Sequence, residues 1–371
     1  MANDMLVFIG TYTEPILFGT GKILQGKGQG IYAYRLDPAS GRLEFVSKTT
    51  GIVNPSYLAL DASQAFLYAV SELKTYQGKP SGTVSAFAVE RATGQLALLN
   101  TQLTHGTDPC HVVVDGRRKH VFVANFMSGS VCVLPVRDDG TLGEACDFVQ
   151  HQGSSIDPRR QSGPHAHSVT LDAANRFAFV PDLGLDKVLT YRFDPKRGML
   201  EPNATPWVKA KPGSGPRHLS FHPDGRFAYL VNELDSTVAV LSYDSAAGSF
   251  EHLQTLPTLP DGFAGESTCA DLHVSPSGAF VYASNRGHDS IVIYRVDPAS
   301  GVLGYVGHES TRGNTPRSFD IDPSGSFLLA ANQDTDSVVT FRIEPQTGRL
   351  QATGDPAIVP TPVCVKCAGR A

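Results

Sequence analysis

Apolar and polar residues alternate in short runs along this chain, and one run with its following turn recurs seven times. The copies are YAYRLDPASGRL, VSAFAVERATGQL, VCVLPVRDDGTL, VLTYRFDPKRGML, VAVLSYDSAAGSF, IVIYRVDPASGVL and VVTFRIEPQTGRL. Period-two alternation predicts half-buried strands, and the glycine after each run predicts a reversal. Those glycines are Gly41, Gly94, Gly140, Gly198, Gly248, Gly301 and Gly348, spaced by 53, 46, 58, 50, 53 and 47 residues. Strands repeating at that interval predict the blades of a propeller.

A second pair of strands is predicted between successive glycine turns. One opens after a proline or similar punctuation, as in NPSYLALD, DPCHVVVD, PHAHSVTLD, GPRHLSFHPDG, TCADLHVSPSG and TPRSFDIDPSG. A tight turn of the DPSG or HPDG kind follows, and the next strand ends in YAVSE, FVANF, FVPDL, YLVNE, YASNR or LAANQ. Each blade is thus expected to hold four antiparallel strands, innermost first. The N-terminal MLVFIGTYT aligns with a second strand and lacks a first, whereas the C-terminal TPVCVKC resembles a first strand. The expectation is an all-β, seven-bladed β-propeller forming one domain over residues 1–371. Its ring is closed by the C-terminal strand completing the N-terminal blade, which removes an open sheet edge.

Antiparallel pairing places the start of the first strand and the end of the second on one face of every blade. Aligned repeats give Ser56, Cys110, His167, Arg217, Ala270 and Arg317 in one column, and Tyr57, His111, Ser168, His218, Asp271 and Ser318 in the next. The end of the second strand gives Glu72, Phe126, Leu183, Glu233, Arg286 and Gln333. Purely architectural positions would be alike in every blade. These differ, and they gather histidines, arginines and carboxylates at the mouth of the channel, as an active site does. The longer connections 13–30, 72–83, 151–163 and 257–268 fall on the same face, and long connections commonly bind ligands. Arg159 and Arg160, leading into the His165–His167 segment, are candidates for an anionic group or for a solvated loop.

Composition narrows the chemistry. The chain is 41% hydrophobic and 18% charged, with net charge −5 and no basic block, which argues against a nucleic-acid partner. No apolar run approaches the roughly 20 residues of a membrane helix. The N-terminus has no basic, signal-like region, so a cytoplasmic location is expected, with the six cysteines reduced. Gly21-x4-Gly26-Lys27 has phosphate-loop spacing, but Gly28 stands where Ser or Thr is required. His165 and His167, two residues apart, share one face of a predicted strand as some metal ligands do, but no pattern supplies a third ligand. They are read as acid/base or hydrogen-bonding groups, and no metal or cofactor is expected. Cys364 and Cys367 have redox spacing, yet on a strand their sulfurs point to opposite faces.

Several stretches carry a family resemblance: IGTYT (9–13), GPHAHSVTLD with FVPDLGLDKVLTYRFD (163–194), GPRHLSFHPDGRFAYLVNEL (215–234) and YASNRGHDSIVIYRVDP (283–298). Over essentially its whole length the chain resembles the propeller-type lactonases, among them bacterial 6-phosphogluconolactonases and fungal carboxy-muconate lactonizing enzymes. The resemblance implies a metal-free site at the channel mouth built from His167 in PHAH, Arg217 in GPRH, Glu233 in VNEL and Arg286 in SNRG. His165, His218 and Glu72 follow as secondary candidates. His111, Arg317 and Gln333 join them from the blade alignment as substrate contacts. Between two arginines Glu233 is the weaker base, so His167 is expected to activate water, with Arg217 and Arg286 holding the oxyanion. The expected partner is a small sugar lactone or related carboxylate, bound by a monomer. A lactonizing cycloisomerase would use the same residues, and a non-enzymatic interaction platform is the third reading.

Overall fold

The computed structural model describes residues 5–369; the first four and last two residues of the expected 1–371 domain lie outside them. Every regular element among the described residues is a strand. They form seven antiparallel blades of the expected kind and one separate two-stranded hairpin. Blade 1 runs, from the inside outward, Pro362–Cys367, Met5–Thr11, Ile31–Leu36 and Leu43–Thr49. The C-terminal strand therefore does complete the N-terminal blade, with Ile9 paired to Val365 and Phe8 to Lys366. Blade 7 (inner strand Pro316–Ile321) gains a further short strand, Ala357–Ile358, beside Ser337–Ile343.

Apolar side chains of adjacent blades interlock around the whole ring. Phe327 and Leu329 of blade 7 pack with Val7, Ile9 and Val365 of blade 1 across the closure. Phe280 and Tyr282 of blade 6 pack with Phe319 and Leu328 of blade 7. The recurring glycine has a physical reason in this packing. At Gly301 (φ 71°) and Gly348 (φ 72°) the backbone is left-handed, where a side chain is strained. An added Cβ would also lie 2.4 Å from the ring of Phe227 or Phe280 in the preceding blade. Tyr229 and Tyr282 then donate their hydroxyls to the carbonyls of these same two glycines, at 3.1 and 2.9 Å. The turn is thus a contact between blades as well as a reversal.

Asp172 and Asp322 behave as turn residues, accepting backbone N–H groups of the residues that follow them. One local expectation is corrected. His165–His167 is not a regular strand: Ala166 makes a lone bridge to Asp182, and the inner strand of blade 4 is only Thr170–Leu171. Instead, His165 N–H donates to the Asp182 side chain (2.7 Å), while His167 N–H donates to Pro181 O (2.9 Å). Among the described residues no helix is long and apolar enough to cross a membrane.

Candidate active site

At one mouth of the channel lies a cleft of about 240 Å³. Its walls include His167, Glu233, Arg286, Arg160, Arg317, Glu72 and Gln333. These residues come from the blade ends and connections, where neighbouring blades lend side chains to one space. Most of the expected second-strand column sits one residue beyond its strand: Asn232 ends the strand and Glu233 begins the connection. Glu233 N–H is nonetheless fixed, donating to Gly215 O at 2.7 Å.

Glu233 is the electrostatic centre. Its Oε2 accepts from Nε of Arg217 at 2.9 Å and lies 3.0 Å from Nη2 of Arg286. Its Oε1 accepts from Nη2 of Arg160 at 2.6 Å. Burial alone would raise this carboxyl, but Arg286, Arg160 and Arg217 outweigh it and hold it well below the usual carboxylate range. A carboxylate bound that firmly is a poor proton acceptor.

His167 stands beside it, with Nε2 3.9 Å from Glu233 Oε2, beyond hydrogen-bond length. Burial, then Arg217 and His218, hold this imidazole well below its ordinary value, so it is neutral at physiological pH. Its ring meets that of Phe126 edge-on, while the His165 ring stacks on the same phenylalanine at 4.7 Å. His165 Nδ1 is 3.0 Å from Phe126 O, and the residue is not part of the cleft wall. The two histidines therefore do not converge as a ligand pair. Among the described residues no group of three or more His, Cys, Asp or Glu is placed to hold a metal ion.

The arginines divide by position. Arg286 lies on the wall, where its Nη2 donates to Cys269 O at 2.7 Å and its buried Nε has no partner. Burial lowers its pKa to about 10, leaving it charged. Arg317 is held over the rings of Tyr12 and Phe18, 5.5 and 5.2 Å from their centres. Arg217, expected on the wall with Arg286, lies underneath instead. Its Nη1 donates to Ala270 O and meets Nε2 of His218 at 3.2 Å. An arginine can only donate, so His218 Nε2 is the acceptor and Nδ1 carries the proton given to Asp271 Oδ1 at 2.8 Å. Burial and Arg217 lower the His218 pKa to about 4, which keeps this tautomer neutral.

His111 and His218 thus sit deeper in the channel than the alignment implied, packed with Tyr57 at ring separations of 4.3 to 6.0 Å. Glu72 does reach the cleft, accepting from the Tyr12 hydroxyl at 2.9 Å; burial pushes its pKa up despite Arg317. Tyr12 and Asp108 were missed as site residues, although IGTYT and DPCHVVVD hold them at repeat positions. The sequence does not choose between the two roles open to Arg160, because loop geometry is invisible in it. It joins Glu233, while Arg159 points to solvent, 89% exposed.

The long 13–30 connection folds over the cleft as a hairpin, Ile16–Leu17 pairing Ile23–Leu24. It is anchored by Tyr12, Ile16 and Val363, and at its tip a Cβ on Gly19 would touch the Phe126 ring of blade 3 at 3.4 Å. Leu17, Phe18, Thr20 and Lys22 thereby roof the site.

The family model described as "Lactonase, 7-bladed beta-propeller" matches residues 6–367. A 6-phosphogluconolactonase of Bacillus subtilis is 36% identical over 359 residues, 97% of either chain. A second, from Formosa agariphila, is 34% identical over 324 residues, 85% of this chain and 86% of its own. The solved structure of the periplasmic gluconolactonase of Pseudomonas aeruginosa superposes with a TM-score of 0.91 at 35% identity, covering 99% of this chain and 100% of that one. With these residues placed at the channel mouth and the family model spanning nearly the whole ring, the chain belongs to the seven-bladed β-propeller lactonase family.

Proposed function

We propose that this protein is a lactonase that hydrolyses a sugar lactone, with 6-phosphoglucono-1,5-lactone the foremost substrate. The observation that carries the reading is a neutral His167 beside a carboxylate neutralised by three arginines, with the free Nε of Arg286 on the same wall. His167 takes a proton from water as the water oxygen attacks the lactone carbonyl carbon. The tetrahedral oxyanion is met by Arg286, with Arg160 alongside, and Glu233 fixes both guanidinium groups and steadies the imidazolium. Collapse breaks the bond between the carbonyl carbon and the ring oxygen, and His167 returns its proton to that oxygen. The product acid then loses a proton to solvent. Arg217 acts from below by positioning Glu233 and His218 rather than by touching substrate.

Names of the relatives support 6-phosphogluconolactone and gluconolactone as the substrates to compare. The small roofed cleft suits one sugar ring bound by a monomer, and six unpaired cysteines suit a reducing, cytoplasmic setting. The test is hydrolysis of freshly generated 6-phosphoglucono-1,5-lactone beside the unphosphorylated lactone, by wild type and Arg286→Ala. Fast turnover of the phosphorylated lactone, lost in the variant, is the expected result. Turnover of the plain lactone alone would move the substrate to an unphosphorylated sugar acid, and inactivity on both would sink the lactonase reading.

A further inference from the structure

Two acceptors on the cleft wall are buried and unpaired. Asp108 is 3% exposed and its Oδ2 has no partner; Gln333 is 4% exposed and its Oε1 has none. The backbone of Asp108 and the side chain of Gln333 are both held in place. Asp108 holds a left-handed backbone (φ 52°), with its N–H donating to Leu73 O and its carbonyl accepting from Phe126 N–H, both at 2.9 Å. Gln333 donates its Nε2 to Asp334 Oδ1 at 2.8 Å. Asp334 can only accept there, so the amide nitrogen must face it and Oε1 must face away.

A desolvated acceptor left without a donor is unfavourable, and the native groups that remain so are commonly completed by a ligand. A substrate hydroxyl can supply the donor that each of these two atoms lacks. Asp108 lies outside the arginine cluster: burial and then Glu72 push its pKa up to about 7, with Lys74 opposing. Near neutrality it can therefore either accept from a hydroxyl or donate to one. Arg286, which lines the same cleft, offers the opposite complement, a buried Nε–H without an acceptor. The unpaired atoms thus suit a ligand that carries both a carbonyl oxygen and hydroxyls.

Resting on the lactonase reading, we infer that Asp108 Oδ2 and Gln333 Oε1 read substrate hydroxyls, making the cleft selective for polyhydroxylated lactones over bare ones. A site built to bond a hydroxyl discriminates strongly against an analogue lacking it. The same acceptors disfavour a diene diacid, which brings negative charge and no hydroxyl to this wall.

The experiment compares kcat/KM for glucono-1,5-lactone and δ-valerolactone in wild type, Asp108→Gly and Gln333→Met. Glycine accepts the left-handed backbone at 108, and methionine keeps the shape at 333. Each variant should lower the gluconolactone-to-valerolactone ratio on the order of 10–100-fold, and Asp108→Asn, which can still accept and donate, should restore much of it. Ratios unchanged in both variants of an active enzyme would overturn the inference and leave the lactonase reading intact. A fall in only one variant would overturn the pairing. Calorimetric binding of gluconate against 5-hydroxyvalerate supplies the second arm. If wild type hydrolyses neither of these lactones nor 6-phosphoglucono-1,5-lactone, yet binds gluconate through these two residues, the hydroxyl site stands and the lactonase reading falls. If it binds neither acid, both fall.

Discussion

Nε of Arg217 donates to Oε2 of Glu233 over 2.9 Å beneath the cleft, and both side chains are almost wholly buried. Removing the negative member leaves Arg217, Arg160 and Arg286 facing one another without compensation. Glu233→Gln is expected to lose about 3–5 kcal/mol of stability at pH 7, the range for breaking a buried pair. Glu233 has a depressed folded pKa, so its contribution is fully present above the unfolded value near 4.5 and is lost as pH falls through the lower folded value. Denaturant unfolding at pH 7 and pH 3 should show the gap between wild type and variant narrowing in acid.

His167 is the proposed base, and His167→Ala should lower kcat on the order of 10²–10⁴-fold. Because burial and Arg217 hold the imidazole below its ordinary value, the acidic limb of kcat/KM belongs well below pH 6.5. Activity should be flat from there through neutrality. A limb centred at or above 6.5 would count against this assignment.

Arg159 and Arg160 are adjacent in sequence and opposite in role. Arg160 bonds Glu233 at the cleft, whereas Arg159 stands 89% exposed beside Asp157. Arg160→Ala should reduce kcat/KM on the order of 10²–10³-fold, as for loss of an oxyanion-stabilising group. Arg159→Ala should stay within about two-fold, since exposed pairs contribute little. Equal losses in the two variants would show that the loop, not the guanidinium, matters.

Asp108 makes stability depend on pH in the opposite sense to Glu233. Its folded pKa of about 7 lies above the unfolded value of 3.8, so the native state binds the proton more tightly. Stability from this group is complete below pH 3.8 and declines as pH rises to about 7. Asp108→Asn should therefore raise the melting temperature at pH 8, by about 1–2 kcal/mol of stability, with the gain disappearing near pH 4.

Glycine turns offer a test of the packing. Gly225 and Gly301 share a left-handed φ, at 73° and 71°, but only Gly301 faces a ring, that of Phe227. Gly225→Ala should cost about 1 kcal/mol from backbone strain alone. Gly301→Ala should cost about 1–3 kcal/mol more, because overpacking adds to strain. Thermal melts of the two variants measure the difference directly.

The sequence alone determined the ring. Alternation, recurring glycines and a C-terminal strand without a blade of its own specify seven sheets, because local backbone chemistry repeats and each repeat must bury its faces against the next. It also carried His167, Glu233 and Arg286 to the channel mouth, since aligned positions share a face. Tertiary structure decided the rest. Arg217 lies under Glu233, His111 and His218 lie deeper, and Arg160 swings in from a loop, because the direction of a side chain depends on neighbours remote in sequence. Asp108 and Gln333 show the same limit: a polar residue becomes an unpaired acceptor only when folding withholds both water and a partner, and no run of letters records what a blade across the ring fails to supply.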